Sequence, residues 1–121
     1  MKSCIFCEIR EGREPGSIVY EDKMVTALMT INPANPGHTL IVPKRHVTSL
    51  SDVGAQLGAE LFKISVRVAE AIKRSGVRCD GIDLFLSNGE PQKEILHLHM
   101  HVIPRFEGDG LEIDFGPDEA G

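Results

Sequence analysis

The sequence contains no tryptophan and one tyrosine, and aromatic residues make up 5% of its 121 residues. Single-stranded nucleic acids stack on aromatic side chains, so this composition disfavours such a binding protein. Positive charge is also scarce: 13 Lys and Arg against 18 Asp and Glu give a formal net charge of −5 at pH 7. Nonspecific polyanion binding needs excess positive charge, so we expect no nucleic-acid partner; a small anionic substrate needs only local positive charge.

Long apolar runs are missing as well. The stretch 24–43 has no formal charge, but the Asn, Pro and Gly residues at its centre would break a helix and leave polar groups unsatisfied in lipid. The N-terminus lacks the apolar core of a secretory signal. We therefore expect no membrane association and a cytoplasmic location, where the three cysteines are free or metal-bound rather than paired in disulfides.

Short apolar runs between turn residues predict a brief helix or turn at 5–9 and five strands, at 17–20, 25–29, 39–43, 82–87 and 95–103. The third strand is apolar on both faces, which is typical of a central strand. Three strands precede one long helix and two follow it. This order predicts an α+β fold with a mainly antiparallel sheet, in a single domain over residues 1–121 with a loop-rich acidic tail at about 107–121.

The long helix is predicted between Ser51, a candidate N-cap, and Gly76, a candidate stop. One apolar stripe recurs at helical spacing and contains Leu57, Leu61, Ile64, Val68 and Ile72. A second stripe makes the apolar arc wider than one sheet face needs; it contains Phe62, Val66 and Ala69. Two interpretations stay open. Either the helix is well buried within one chain, or the second stripe packs against a second subunit in a homodimer.

The segment most informative about chemistry is His97-Leu-His-Met-His-Val-Ile103. Alternate side chains of a strand share a face, so His97, His99 and His101 line up with neighbouring Cα atoms about 6.6 Å apart. Such a row of imidazoles indicates metal binding, or acid–base and nucleophilic chemistry near pH 7, against the alternative of a tolerated, solvent-exposed face. One zinc ion on all three rings is disfavoured, because the outer two lie about 13 Å apart in Cα.

This segment matches the histidine triad pattern His-φ-His-φ-His-φ-φ, with φ apolar, and the chain resembles that family over most of its length. Residues 4–9, 19–22, 31–38, 41–46 and 88–90 also look like segments of the family, in the same order. The resemblance implies a nucleotidyl hydrolase or transferase, usually dimeric, that acts at the α-phosphate of a nucleoside phosphoramidate or dinucleoside polyphosphate. The alternative is a zinc-stabilised nucleotide-binding regulatory module with little turnover.

The resemblance also implies catalytic roles. His99 is implied as the nucleophile that forms a covalent nucleotidyl-histidine intermediate, which fits the chemistry of neutral imidazole near pH 7. His101 is implied to hydrogen-bond the phosphate or the leaving group. His38, in the Pro-Gly-His segment, resembles a fourth family histidine that supports the triad from a neighbouring strand.

The implied substrate contacts depart from the family in three places. Thr30 stands where Asp or Asn commonly contacts the ribose, and Ser87 begins a Ser-Asn-Gly that replaces Asn-Asn-Gly or Gln-Asp-Gly. Lys93 takes the place of a Gln in a shortened loop, where it adds charge for phosphate or is simply solvated. An apolar pair near the N-terminus resembles the pair that flanks a purine base, or belongs to the core. The implied substrate-binding residues are Ile5, Phe6, Thr30, Ser87, Asn88 and Lys93.

Zinc is the one cofactor that the resemblance implies. Cys4 and Cys7 have the spacing of zinc ligands, but one such pair supplies only two of four ligands. The zinc-containing branch of the family adds a His after the Pro-Lys segment and the first triad His, and both are present here as His46 and His97. Two small core cysteines, or a thioredoxin-like redox pair, are the alternative interpretations.

Overall fold

The structure is a computed structural model that describes residues 17–30, 33–87 and 98–111. In chain order the elements are β1 (Ser17–Glu21), β2 (Val25–Met29), β3 (Thr39–Pro43), a 3₁₀ segment (Leu50–Asp52), α1 (Gly54–Arg74), β4 (Gly81–Ser87) and β5 (His99–Arg105). The strands form one sheet in the order β1-β2-β3-β5-β4, with every neighbouring pair antiparallel. The predicted α+β class is confirmed. The helix predicted at 5–9 lies outside the described residues.

The core lies between α1 and one face of the sheet. Its helical side is the first apolar stripe, of which Leu57, Leu61, Ile64 and Ile72 are buried. The opposing residues are Val25, Ala27, Ile41 and Val102 of the strands, together with Leu98, which immediately precedes β5. All five residues of β3 are buried, as predicted for a central strand. Because strand side chains alternate between faces, the neighbours of the core residues of β5 point to the side of the sheet away from α1.

The start of the helix differs from the prediction. Ser49 caps the 3₁₀ segment, with its hydroxyl oxygen accepting from the Ser51 N–H at 3.3 Å. α1 begins two residues beyond that segment and has no side-chain cap. The N-cap prediction for Ser51 is therefore wrong, because the chain turns once more at Gly54, whose φ of +75° favours glycine. The predicted stop at Gly76 is confirmed by its φ of +89°.

The second apolar stripe of α1 remains largely outside the core. Phe62 is 59% exposed and Val66 is 39% exposed. The interpretation of a helix well buried within one chain is therefore wrong, whereas packing against a second subunit stays a prediction. None of the described helices is both long and apolar enough to cross a membrane.

β5 continues past the predicted end at Ile103. Pro104 pairs with Ile82 of β4, and its carbonyl accepts from the Asn35 side chain at 2.8 Å. In a strand, the backbone nitrogen and carbonyl of one residue point toward the same side. Because the Pro104 carbonyl points to Asn35 and away from β4, the lack of an N–H at Pro104 removes no hydrogen bond between β4 and β5. The first predicted residues of this strand, 95–97, lie outside the described part of the chain.

Candidate active site

β5 places two histidines on the face of the sheet away from α1. His101 lies opposite Leu40 of β3 and Phe85 of β4, and His99 lies opposite Ser87. The two imidazole ring centroids are 4.8 Å apart, with the rings tilted by 63°. The predicted sharing of one face is confirmed for this pair, while His97 lies outside the described residues. His99 is only 3% exposed, so the row of imidazoles is not a solvent-exposed strand face.

A loop between β2 and β3 brings in a third histidine. The His38 N–H donates to the Asn35 carbonyl at 3.1 Å and closes a tight turn. Gly37 in that turn has a φ of +94°, and a Cβ there would lie 3.2 Å from Cγ of Pro104. Glycine thus permits both the turn and its close contact with β5. The result is a separation of 2.9 Å between Nε2 of His38 and Nδ1 of His101.

The hydrogen bonds around His38 determine where each neutral ring carries its proton. The Ala34 N–H donates to Nδ1 of His38 at 2.9 Å. A backbone N–H can only donate, so Nδ1 of His38 is bare and its proton sits on Nε2. Nε2 therefore donates to Nδ1 of His101, and the proton of the neutral His101 ring sits on Nε2. The chain of donors runs from Ala34 through His38 to His101.

Burial keeps both rings of this chain neutral. Burial, together with the charges of His99 and His38, lowers the pKa of His101 to about 4. Burial also lowers the pKa of His38, with His99 as the second cause. At pH 7 His101 therefore has a neutral N–H donor at Nε2, close to the ring of His99. An arrangement of a buried imidazole beside an imidazole N–H suits attack on an electrophile with hydrogen bonding to the departing group.

Two predicted substrate-binding residues lie at this site. The Thr30 N–H points to the carbonyl of His38 with an N–O distance of 3.5 Å. Ser87, at the end of β4, is the register partner of His99. Their roles in substrate binding stay predictions. Four other residues predicted to bind substrate lie outside the described residues: Ile5, Phe6, Asn88 and Lys93.

Of the four predicted zinc ligands, only His46 lies within the described residues; Cys4, Cys7 and His97 lie outside them. The residue after His46, Val47, accepts a hydrogen bond at its carbonyl from the N–H of Leu98 at 2.6 Å. The backbone that follows His46 thus meets the residue that follows His97. Within the described ranges, no three His, Cys, Asp or Glu side chains lie where they could share a metal ion.

The sequence interpretation missed a polar cluster that fixes the His38 loop. The side-chain amide of Asn35 donates to the Pro104 carbonyl at 2.8 Å and to Oδ2 of Asp109 at 3.0 Å. Arg105 donates to the same carboxylate through Nε at 2.7 Å. The turn chemistry around Asn35 indicated a loop, and the tail containing Asp109 indicated a loop as well. No local sequence pattern therefore indicated that these side chains meet.

Comparison with known proteins identifies the family of the chain. The model of the HIT domain matches residues 11–108. An uncharacterised HIT-like protein of Methanocaldococcus jannaschii is 40% identical over 114 residues, which cover 93% of this chain and 87% of that protein. A protein of Arabidopsis thaliana named an adenylylsulfatase is 33% identical over 109 residues, which cover 89% of this chain and 55% of that longer protein.

A solved structure extends this comparison to the fold. A Zn-bound histidine triad family protein from Mycobacterium smegmatis has a TM-score of 0.84 and 35% sequence identity, with 96% of this chain and 84% of that chain covered. The family model and these relatives span the strand that carries His99 and His101 as well as the loop that carries His38. The chain therefore belongs to the histidine triad, or HIT, family.

Proposed function

We propose that this protein is a nucleotidyl hydrolase or transferase. It acts at the α-phosphate of a nucleoside phosphoramidate or dinucleoside polyphosphate through a covalent intermediate on His99. The hydrogen bond from His38 to His101 is the observation that supports this proposal most directly, because it places the proton of His101 on Nε2, in a ring whose centroid lies 4.8 Å from that of His99. The name of the Arabidopsis relative, an adenylylsulfatase, supports nucleotide chemistry in this family.

In the first step an unprotonated ring nitrogen of His99 forms a bond to the α-phosphorus. The bond from phosphorus to the bridging atom breaks, and that atom leaves with the electron pair. The Nε2–H of His101 hydrogen-bonds the bridging atom and transfers its proton when the leaving group is an amine. The His38 N–H, held against Nδ1 of His101, limits the negative charge that then develops on that ring. Water next attacks phosphorus and releases His99. After an amine has left, the proton from water returns to Nε2 of His101; after a phosphate has left, Nε2 still holds its proton and the proton from water passes to solvent.

Trapping the intermediate tests the nucleophile. After quenching a reaction with a slowly hydrolysed adenosine phosphoramidate, mass spectrometry should find a nucleotidyl adduct on the peptide that contains His99. His99→Ala should abolish turnover, because it removes the atom that forms the covalent bond. His101→Ala should lower the rate by about 10²–10³, the typical cost of one hydrogen bond to developing charge.

His99→Asn is the matched binding control, and it should still bind the nucleotide. Wild-type rates in His99→Ala would refute the nucleophile. Binding of nucleotides by the wild type without any turnover would favour the regulatory nucleotide-binding module instead. Failure to bind or turn over either substrate class would remove the nucleotide proposal altogether.

The substrate is further proposed to carry a purine base. In this proposal Ile5 and Phe6 flank the base, Thr30 contacts the ribose, and the segment from Ser87 and Asn88 to Lys93 contacts the phosphates. The positions of Thr30 and Ser87 beside the histidines support their part in it. A cytoplasmic location remains part of the proposal, consistent with a substrate drawn from the nucleotide pool.

We also propose a structural zinc on Cys4, Cys7, His46 and His97. Two thiolates and two imidazoles are a donor set that zinc commonly binds in closed structural sites. The contact between Val47 and Leu98 supports the proposal, since it joins the segments that contain the two histidines. The zinc-bound relative from Mycobacterium smegmatis is consistent with it. Such a site would attach the N-terminal segment to the sheet.

A homodimer is the proposed assembly. β4 is the last strand at one side of the described sheet, and α1 lies against the sheet beside it. Exposed apolar side chains line this border: Phe62, Val66, Leu84 and Leu86 are between 38% and 59% exposed. A cavity of about 290 Å³ between α1 and β4 is lined in part by Val66, Ala69 and Leu84. A second copy related by a two-fold axis would cover this border with the same residues.

A further inference from the structure

The side chain of Asn35 connects the loop that contains His38 to the end of β5 and to the turn that follows it. This residue is only 6% exposed. Its Nδ2 donates to the Pro104 carbonyl at 2.8 Å and to Oδ2 of Asp109 at 3.0 Å. Both partners are acceptors, so the orientation of the amide group is determined by its surroundings. The backbone carbonyl of Asn35 accepts the N–H of His38 at 3.1 Å, so the same residue anchors the loop and closes its turn.

Asp109 is a fixed partner for that amide. Its side chain is 5% exposed, and Arg105 donates to Oδ2 through Nε at 2.7 Å. The backbone N–H groups of Phe106 and Leu111 donate to the two carboxylate oxygens at 3.2 and 3.0 Å. Arg105 also bonds Asp83 of β4 at 2.7 Å, which ties the cluster to the sheet. Hydrogen bonds from Arg105 and these N–H groups hold the pKa of Asp109 well below its usual range.

The anchor acts on the histidines through the residue next to it. Ala34 precedes Asn35 and supplies the N–H that bonds Nδ1 of His38 at 2.9 Å. If this N–H moved away, the neutral His38 ring could place its proton on either nitrogen. With the proton on Nδ1, the bare Nε2 of His38 would face Nδ1 of His101 and draw the His101 proton to that side. Nε2 of His101, the atom proposed to face the leaving group, would then have no proton to donate.

We propose that Asn35 and Asp109 are positioning residues that set the tautomer of His38 and, through it, the tautomer of His101. The mechanical part of this proposal depends only on the described contacts. Its consequence for catalysis rests on the proposed function, in which the Nε2–H of His101 serves the leaving group. The two parts therefore need separate measurements.

The tautomers are read by long-range ¹H–¹⁵N correlation spectra of protein labelled at histidine, at pH 7 and without substrate. The wild type should show His38 and His101 with the proton on Nε2. Asn35→Ala should give a mixture of both tautomers on both rings. Asp109→Asn keeps the shape of the side chain and should shift the tautomers in the same direction by less, so it serves where Asn35→Ala does not fold.

Asp80→Ala is the matched control. Asp80 accepts from the Glu107 N–H at 3.1 Å and thus supports the same turn after β5, but it bonds neither Asn35 nor His38 in the described contacts. This control should keep the wild-type tautomers even if it lowers thermal stability. A control that shifts the tautomers as strongly as Asn35→Ala would overturn the assignment to the Asn35 anchor.

Turnover supplies the second measurement. Asn35→Ala should lower kcat by about 10-fold to 100-fold, the range for a catalytic group displaced by up to 1 Å, with KM changed less than about twofold. A purely structural role would instead reduce the amount of folded protein and leave kcat per folded molecule and the tautomers unchanged, which would overturn the proposal. Shifted tautomers in a protein that turns over no nucleotide would support the positioning role and refute the proposed function.

Discussion

Acid should destabilise this protein through the buried histidine pair. Protonation of His101 at Nδ1 would remove the acceptor for the Nε2–H of His38. His38 cannot move its proton from Nε2 to Nδ1 without losing the hydrogen bond from the Ala34 N–H. The pKa of His101 is therefore lower in the folded state than in the unfolded chain. As pH falls through the unfolded value of about 6.5, the unfolded chain binds the proton first, so stability is complete above that pH and decreases below it.

The size of the effect follows from the two pKa values of His101. Burial, together with the charges of His99 and His38, lowers the folded pKa to about 4, so the loss of stability should extend from about pH 6.5 to about pH 4 and then level off. One pKa unit corresponds to about 1.4 kcal/mol, which sets an upper limit of about 3.5 kcal/mol. Because the ring is only partly buried and water screens it, we expect a loss of roughly 1–2 kcal/mol.

Urea denaturation of the wild type and His101→Asn at pH 7, 6, 5 and 4.5 tests this expectation. Asparagine keeps an acceptor at the position but does not titrate in this range. Acid effects from carboxylates are common to both proteins and cancel in the difference between their free energies of unfolding. That difference should shift by roughly 1–2 kcal/mol in favour of the variant between pH 7 and pH 4.5. Parallel losses in the two proteins would show that the pKa of His101 is not lowered in the folded state.

Three further expectations concern the metal, the assembly and the His38 loop. Protein purified without chelators should contain one zinc per chain, and Cys7→Ser should lower its thermal stability because a structural site is lost; metal analysis far below one zinc per chain would contradict this. We expect the wild type to be the proposed dimer in light scattering and Phe62→Glu to be a monomer of about 13 kDa, since the substitution places a charge on the exposed apolar stripe. A wild type that is already monomeric would rule out the proposed dimer. Gly37→Ala should lower the free energy of unfolding by about 1–3 kcal/mol, because its φ of +94° and its contact with Pro104 both disfavour a Cβ; an unchanged urea midpoint would refute that reasoning.

The strands and the helix could be predicted because their signals are local. Turn residues separate the short apolar runs, and the 3.6-residue spacing from Leu57 to Ile72 marks the face of α1 that packs on the sheet. The helix start was predicted wrongly, because two serines, Ser49 and Ser51, lie close together and only tertiary structure decides which one caps a turn. The extension of β5 through Pro104 depends on the direction in which that residue faces, which the sequence does not contain.

The site was predictable where its residues share one element and less so where they meet across the fold. Alternation along a strand places His99 and His101 on one face without any tertiary information. The relation of His38 to His101 came from the family resemblance, and the direction of their hydrogen bond required the position of the Ala34 N–H. Asn35 and Asp109 are 74 positions apart, so no local pattern links them.

The polarity of the histidine chain follows from its first donor. A backbone N–H neither ionises nor accepts, so the Ala34 bond allows only one neutral tautomer of His38 and, through the 2.9 Å contact, one of His101. A side-chain donor that titrates near pH 7 could not fix one tautomer of His38, because it would be deprotonated in a fraction of the molecules at that pH. The tautomers instead depend on the position of the backbone of the His38 loop. Asp109 holds Asn35 in that loop by a hydrogen bond, and its carboxylate stays ionised over the whole pH range in which the histidines titrate. The proton that we assign to the leaving group is thus positioned by groups that do not themselves take part in the reaction.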